Sequence, residues 1–429
     1  MPAARRPDAG PHRSAGRGPA TGGGVGPGPA RAAAATQEVR RHNLGGLLRL
    51  LHVHGPTSRS DLTALIGLNR STVRALTTEL AEAGLVREAA TVGRGGGAGR
   101  PSILVEPRSE HVWVLAVDVG VEHVATARIG LGGVVLDRRE EPLARGDGAV
   151  RAVLGRLRGL AEPLLVAAGS SPVGIGIAVP GIVGVADGTV RLAPNLGWVD
   201  VPLGRLLAAE LGTAVPVAVG NEGDLGVVAE HLRGVAAGAS DAIYLSGEVG
   251  IGGGIILGGR PLTGAGGYAG EVGHMAVNPA GRLCRCGRRG CWETEVGLDA
   301  VLRACGMPGR DLADVLAAHA AGDPAAVDGI RAVGHWLGIG VANLVNVLNP
   351  EVIVFGGLTR ATFPVMEQYV RTELAEALTA PRGQVRLELP GLGADSSLIG
   401  AAELAFAPLL GDPLGALVEL GARAGTERG

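Results

Sequence analysis

The sequence predicts an α/β chain in two parts: a small basic unit of three helices and a β-hairpin, then a larger two-lobed body. Three observations predict it. Leucines and valines repeat at helical spacing between Leu44 and Leu80, with a glycine or a capping residue at each break. A strand–glycine turn–strand unit opening with WVLAVDVG recurs as AIYLSGEVGIGGGIILGG, and such duplication suggests two lobes with a cleft between them. The 429 residues, 46% hydrophobic and 19% charged, suffice for more than one core.

Composition excludes several classes. The richest apolar stretch, VGIGIAVPGIVGVA at 173–186, is broken by Pro180 and glycines, so no run approaches the about 18 residues of a membrane span. No apolar segment follows the N-terminal arginines, so a cytoplasmic protein without a secretory signal is expected. All 39 basic residues are arginine. Residues 1–106 hold 14 arginines against 7 acidic groups, or +7, which leaves −9 for the remainder of a chain with net charge −2. A basic start ahead of an acidic body points to a polyanion that meets only the N-terminal part.

The elements follow in order. Residues 1–36 are Gly, Pro, Ala and Arg and are expected to be a disordered tail, because they cannot offset ordering entropy by burial. Leu44, Leu47, Leu48 and Leu51 line one face of a first helix that Gly55-Pro56 ends. Ser58, with Asp61 three residues on, reads as a capping box for a second helix expected to bury Leu62, Leu65 and Ile66. Gly67 turns the chain, Asn69 caps a third helix, and Val73, Leu76 and Leu80 face inward. Two extended runs around a glycine-rich tip come next. Over 37–107 this order reads as a winged helix-turn-helix. Its third helix would enter a major groove with Arg70, Ser71, Thr72 and Arg74, while Arg94 and Arg100 at the tip would meet phosphate or a minor groove.

A metal constellation lies further on. His274, Cys284, Cys286 and Cys291 have the spacing H-x9-C-x-C-x4-C, which suits a closed, tetrahedral, structural Zn²⁺ site. Arg282, Arg285, Arg288 and Arg289 would favour the thiolates. Cys305 stands apart and is expected to be a plain buried thiol.

From about residue 37 to 408 the chain resembles the ROK family of sugar-responsive repressors and sugar kinases. The resemblance rests on the winged helix-turn-helix and on VDVG at 117–120, AVPGIV at 178–183 and PNLGW at 194–198. It continues in NEGD at 221–224, SGEVGIGGG at 246–254, GAGGYAGEVGH at 264–274 and CRCGRRGCWE at 284–293. It implies a two-lobed, actin-like, sugar kinase-type body over 108–408, with 409–429 left as a tail. It also implies His274 as a zinc ligand, and a sugar held by Asn195, Asn221, Glu271, Glu293 and the backbone at Gly181, beside His274.

The kinase branch of the family is poorly matched. Where its kinases carry DxGGT, this chain has DVGVEH, with Val121, Glu122 and His123 replacing the usual residues. Glu248 replaces the threonine of the second glycine turn, so carboxylates stand where triphosphate oxygens would sit. Each such like-charge pair costs about 4 kcal/mol at 4 Å and an effective dielectric of 20. Glu222 replaces the catalytic aspartate and is expected to contact ligand instead, and Asp224 replaces the final asparagine of that motif. The expectation is a non-enzymatic transcriptional repressor, a homodimer or homotetramer on an inverted-repeat operator, modulated by a sugar or sugar phosphate. The competing classes are a DNA-binding sugar kinase and a regulator controlled by a protein partner.

Overall fold

The structure, a computed structural model, describes residues 29–90, 103–144, 148–184, 187–378 and 384–426. Helix α1 (Pro29–His54) buries Leu44, Leu47, Leu48 and Leu51. It begins inside the stretch expected to be disordered, where the alanine-rich segment at 30–35 has high helix propensity; residues 1–28 lie outside the described residues. A two-residue strand, β1 (Thr57–Ser58), leads into α2 (Arg59–Ile66), whose first turn is capped by Ser58 Oγ accepting the Asp61 N–H at 3.2 Å. Gly67, at φ +71°, ends α2 in the left-handed conformation that glycine adopts without strain. Asn69 Oδ1 accepts the Thr72 N–H at 2.9 Å and opens α3 (Arg70–Glu82), which buries Val73, Leu76, Thr77 and Leu80.

Leu65 departs from its expected place. It is 53% exposed, because α2 presents Leu62 and, one turn on, Ile66 to the core and turns Leu65 outward. Strands β2 (Val86–Ala90) and β3 (Ile103–Pro107) pair antiparallel, and β1 pairs with the other edge of β3. The tip between them, with Arg94 and Arg100, lies outside the described residues.

The body repeats one topology. Its first lobe holds β4 (Trp113–Val119), β5 (His123–Gly130), β6 (Val134–Pro142), α4 (Val150–Ala168) and β7 (Ile175–Val179). A small antiparallel sheet of β8 (Ile182–Val183), β9 (Val190–Ala193) and β10 (Trp198–Val201) follows, then α5 (Leu203–Leu211), β11 (Val217–Asn221) and α6 (Glu222–Arg233). The second lobe holds β12 (Ala242–Ser246), β13 (Gly252–Leu257) and β14 (Arg260–Pro261). Short helices α7 (Trp292–Val296), α8 (Leu298–Ala304) and α9 (Leu312–Ala320) lead to α10 (Pro324–Leu348), β15 (Val352–Phe355), α11 (Gly357–Ala375) and β16 (Arg386–Glu388). The sheets run β6-β5-β4-β7-β11 and β14-β13-β12-β15-β16. In both, the two junctions on one side of the central strand are antiparallel and the two on the other are parallel. That is the duplicated, two-lobed architecture expected.

The C-terminus also differs from expectation. Instead of a tail from residue 409, α12 (Ser396–Gly411) continues past it and α13 (Pro413–Thr426) follows. Leu409 and Leu410 are buried, and Leu414 and Leu417 pack on the cluster that contains Leu44 and Leu51, so apolar burial offsets the cost of ordering. From Arg41 on, the described residues form one compact unit. The winged-helix core is therefore continuous with α12, and no gap in packing marks residues 107–108. Among the described residues no single helix is long and apolar enough to cross a membrane.

Candidate functional site

The cleft between the lobes holds a cavity of about 410 Å³. Gly181, Asn195, Asn221, Glu222, Glu271, His274 and Glu293 all line it, together with Asp224, Glu248 and Tyr268. Gly181 sits at φ +106°, and a Cβ there would collide with the Leu192 carbonyl, so only glycine lets the backbone form this wall. Asn221 ends β11 and caps α6, its Oδ1 accepting the N–H groups of Gly223 at 2.7 Å and Asp224 at 3.1 Å. Its amide also donates to the Gly181 carbonyl at 2.8 Å, so most of its bonding capacity holds the wall in place. Asn195 Oδ1 accepts from Arg285 Nη1 at 2.8 Å, joining the lobes across the cavity; the sequence had suggested only a thiolate-tuning role for this arginine.

The carboxyl groups are not equivalent. Burial, reinforced by repulsion from Glu248 and Asp118, raises Glu222 to about 8, and Ser246 Oγ donates to it at 3.4 Å. Burial and then Glu271 raise Asp224 to about 7. Near neutrality this wall therefore offers carboxylic O–H donors as well as acceptors, which suits ligand hydroxyls that do both. The sequence had marked Asp224 only as a kinase departure and not as part of the cavity wall.

The first strand turn is filled from within. Glu248 Oε2 accepts the N–H groups of Val121 at 2.7 Å and Glu122 at 2.9 Å, while its Oε1 lies 2.6 Å from His123 Nδ1. His123 Nε2 is 3.3 Å from Asp118. Burial opposes a charge on His123, but Asp118 and Glu248 outweigh it and raise the ring to about 11. The histidine thus lies between the carboxylates of Asp118 and Glu248. Glu122 itself faces outward and is exposed.

The metal-ligating residues come together. One ligand atom from each of His274, Cys284, Cys286 and Cys291 lies within 4.8 Å of all the others. Cys286 Sγ and Cys291 Sγ are 3.5 Å apart, and Cys284 Sγ is 3.7 Å from His274 Nδ1. Zn–S bonds of about 2.3 Å in a tetrahedron require ligand separations of about 3.5–3.8 Å, so the set fits zinc. Glu271 immediately precedes the one-turn 3₁₀ helix Val272–His274, with its carboxylate 3.7 Å from His274 Nε2. Cys284 Sγ donates to Glu293 at 2.9 Å. Burial and this carboxylate push the Cys284 thiol up. Cys305 is buried apart from the cluster.

On the N-terminal unit, Arg70, Ser71 and Arg74 are exposed along α3 and Thr72 is half-buried. Ser71 Oγ donates to Asn69 Oδ1 at 2.6 Å, so it first serves the helix cap.

The ROK family model matches residues 114–407. A xylose repressor from Caldicellulosiruptor bescii is 34% identical over 318 residues, 70% of this chain and 78% of that repressor. A glucokinase from Halalkalibacterium halodurans is 31% identical over 309 residues, 67% of this chain and 93% of the enzyme. A solved ROK family transcriptional regulator, a homolog of the Escherichia coli MLC protein, aligns with a TM-score of 0.73 at 28% identity. That alignment covers 89% of this chain and 100% of the regulator. With its family match, its duplicated lobes and its winged helix, the chain belongs to the ROK family.

Proposed function

We propose that the chain is a DNA-binding transcriptional repressor whose operator affinity is set by a carbohydrate or sugar phosphate in the interlobe cavity. The observation that carries this reading is the union of parts in one unit. A winged helix with Arg70 and Arg74 exposed on α3 shares a continuous core with a body whose cavity is walled by carboxyls and amides. Its similarity to a xylose repressor and to an MLC-type regulator supports it. In this reading Arg70, Ser71, Thr72 and Arg74 meet the major groove, Arg94 and Arg100 meet phosphate or a minor groove, and a homodimer presents two such helices to an inverted repeat. The DNA-binding unit spans 37–107, and the body runs from 108 on.

Asn195, Glu222, Asp224, Glu271 and Glu293 would hold the sugar hydroxyls, with Asn221 keeping Gly181 in place beneath the ring. His274, Cys284, Cys286 and Cys291 would hold a structural Zn²⁺, which fixes the loop bearing Glu271 and Glu293. Phosphoryl transfer is not part of this function. Glu248 occupies the N–H groups of the first strand turn, where a kinase would cradle phosphate.

Two assays on the full-length protein test the reading. With Mg²⁺-ATP and D-xylose, D-glucose or N-acetylated hexosamines, ADP release is expected at background level. A thermal-shift panel of the same sugars and their phosphates is expected to yield a stabilising ligand, worth about 2.7 kcal/mol at 100 times its dissociation constant. Sugar-dependent ADP release that a Glu222→Ala variant lacks would identify a kinase. A panel in which nothing binds would leave regulation to a protein partner.

A further inference from the structure

The cavity and the winged helix are joined by two packed helices. We propose that α6 and α12 carry ligand occupancy of the cavity to α1 through a buried triad of Arg233, Glu403 and His52. This rests on the reading above and names its route. α6 begins in the cavity wall at Glu222 and Asp224 and ends at Arg233. α12 touches the same wall at its start, where Ser397 Oγ donates to the Glu222 carbonyl at 3.2 Å. Near its end it meets α1, where the Leu410 carbonyl accepts from Arg49 Nη2 at 3.5 Å.

Close backbone approach makes these helices move together. A Cβ on Gly400 of α12 would strike the Leu225 carbonyl of α6, and a Cβ on Gly45 of α1 would come within 2.7 Å of the Leu410 carbonyl. Glu230, fully buried near the end of α6, ties that end to the entry of α12. It accepts the N–H groups of Gly391 and Leu392, each at 3.0 Å, and the Ser396 hydroxyl at 2.8 Å. No compressible side-chain layer separates these elements, so a displacement at the cavity passes along both helices.

The triad sits where the route reaches the winged helix. Arg233 Nε donates to Glu403 Oε1 at 2.7 Å, and His52 Nε2 lies 2.9 Å from Glu403 Oε2. The Gly132 N–H donates to His52 Nδ1 at 2.9 Å, so Nε2 is the nitrogen that donates to Glu403. Arg233 Nη1 closes the ring on the Gly132 carbonyl at 3.2 Å. One residue each from α1, the β5–β6 turn, α6 and α12 is thereby held in a single buried network. Among the described residues, Arg233 Nη2 is buried without a hydrogen-bond partner. Coupling between sites requires an element with two arrangements, and this spare donor is the group that a second arrangement would pair.

The experiment compares the full-length wild type with Glu403→Gln and His52→Gln. The probes are D-xylose and D-glucose, and the DNA is a duplex recovered by selection of bound fragments. In the wild type the sugar that binds should change operator affinity by about tenfold or more. Both variants should keep sugar binding and sugar-free operator affinity within about threefold, while the effect of sugar on DNA falls below about twofold. Variants that respond as the wild type does would overturn the relay and leave the function standing. A wild type that binds sugar with no change in DNA affinity would overturn both. Hydrogen exchange on the wild type gives a reading that needs no variant: sugar should alter protection in α1 and α12, and unchanged protection there contradicts the relay.

Discussion

Glu248 and His123 decide how the first strand turn is used. His123 has its ring raised from 6.5 to about 11, with Asp118 and Glu248 outweighing burial. A histidine raised in the folded state stabilises fully below its ordinary value, and that contribution is lost as pH rises towards the folded one. His123→Gln should therefore flatten the fall in urea midpoint between pH 6.5 and about 11; an unchanged slope would contradict the clasp. At the metal cluster, native chelator-free protein should contain a single zinc per chain. Cys286→Ser should lose it and weaken sugar binding with it, since Glu271 and Glu293 stand beside the ligands; elemental analysis and thermal shift read both. The His/Cys cluster was legible because ligand identity and spacing are local properties of the chain. The role of Glu248 was legible only as a misfit: that its carboxylate bonds the N–H groups of a turn 126 residues away depends on how the lobes meet.

Among the elements, α2 and α3 were legible almost to the residue. Caps and left-handed glycines act within a single turn and leave direct marks in sequence. Leu65 was misplaced because an eight-residue helix has too few turns for periodicity to separate its core face from its edge. Leu62→Ala, at a fully buried position, should cost about 2–5 kcal/mol. Leu65→Ala should stay within about 0.5 kcal/mol. Denaturant melts of the pair distinguish the structure's assignment from the sequence's. On the outer face of α3, Arg74→Ala should weaken operator binding by about 1–3 kcal/mol and relax the preference at one base per half-site. Selection of bound fragments with the variant reads both effects.

For the whole molecule, the duplicated lobes were legible because each copy repeats its own strand–glycine–strand signature. The ends were not. α13 and the last turns of α12 look like a tail in isolation and are ordered by the core they share with α1, a contact made across the length of the chain. The same contact joins the cavity's lobes to the winged helix, as the proposed control of DNA binding by a sugar in the cleft requires. The most direct measurement of that control is fluorescence anisotropy of a selected inverted-repeat duplex with the full-length protein at fixed salt, titrated with each sugar that stabilises the fold. At least one such sugar should shift operator affinity by about tenfold or more, with no ATP required. Equal affinity at zero and saturating concentrations of every stabilising sugar would contradict it.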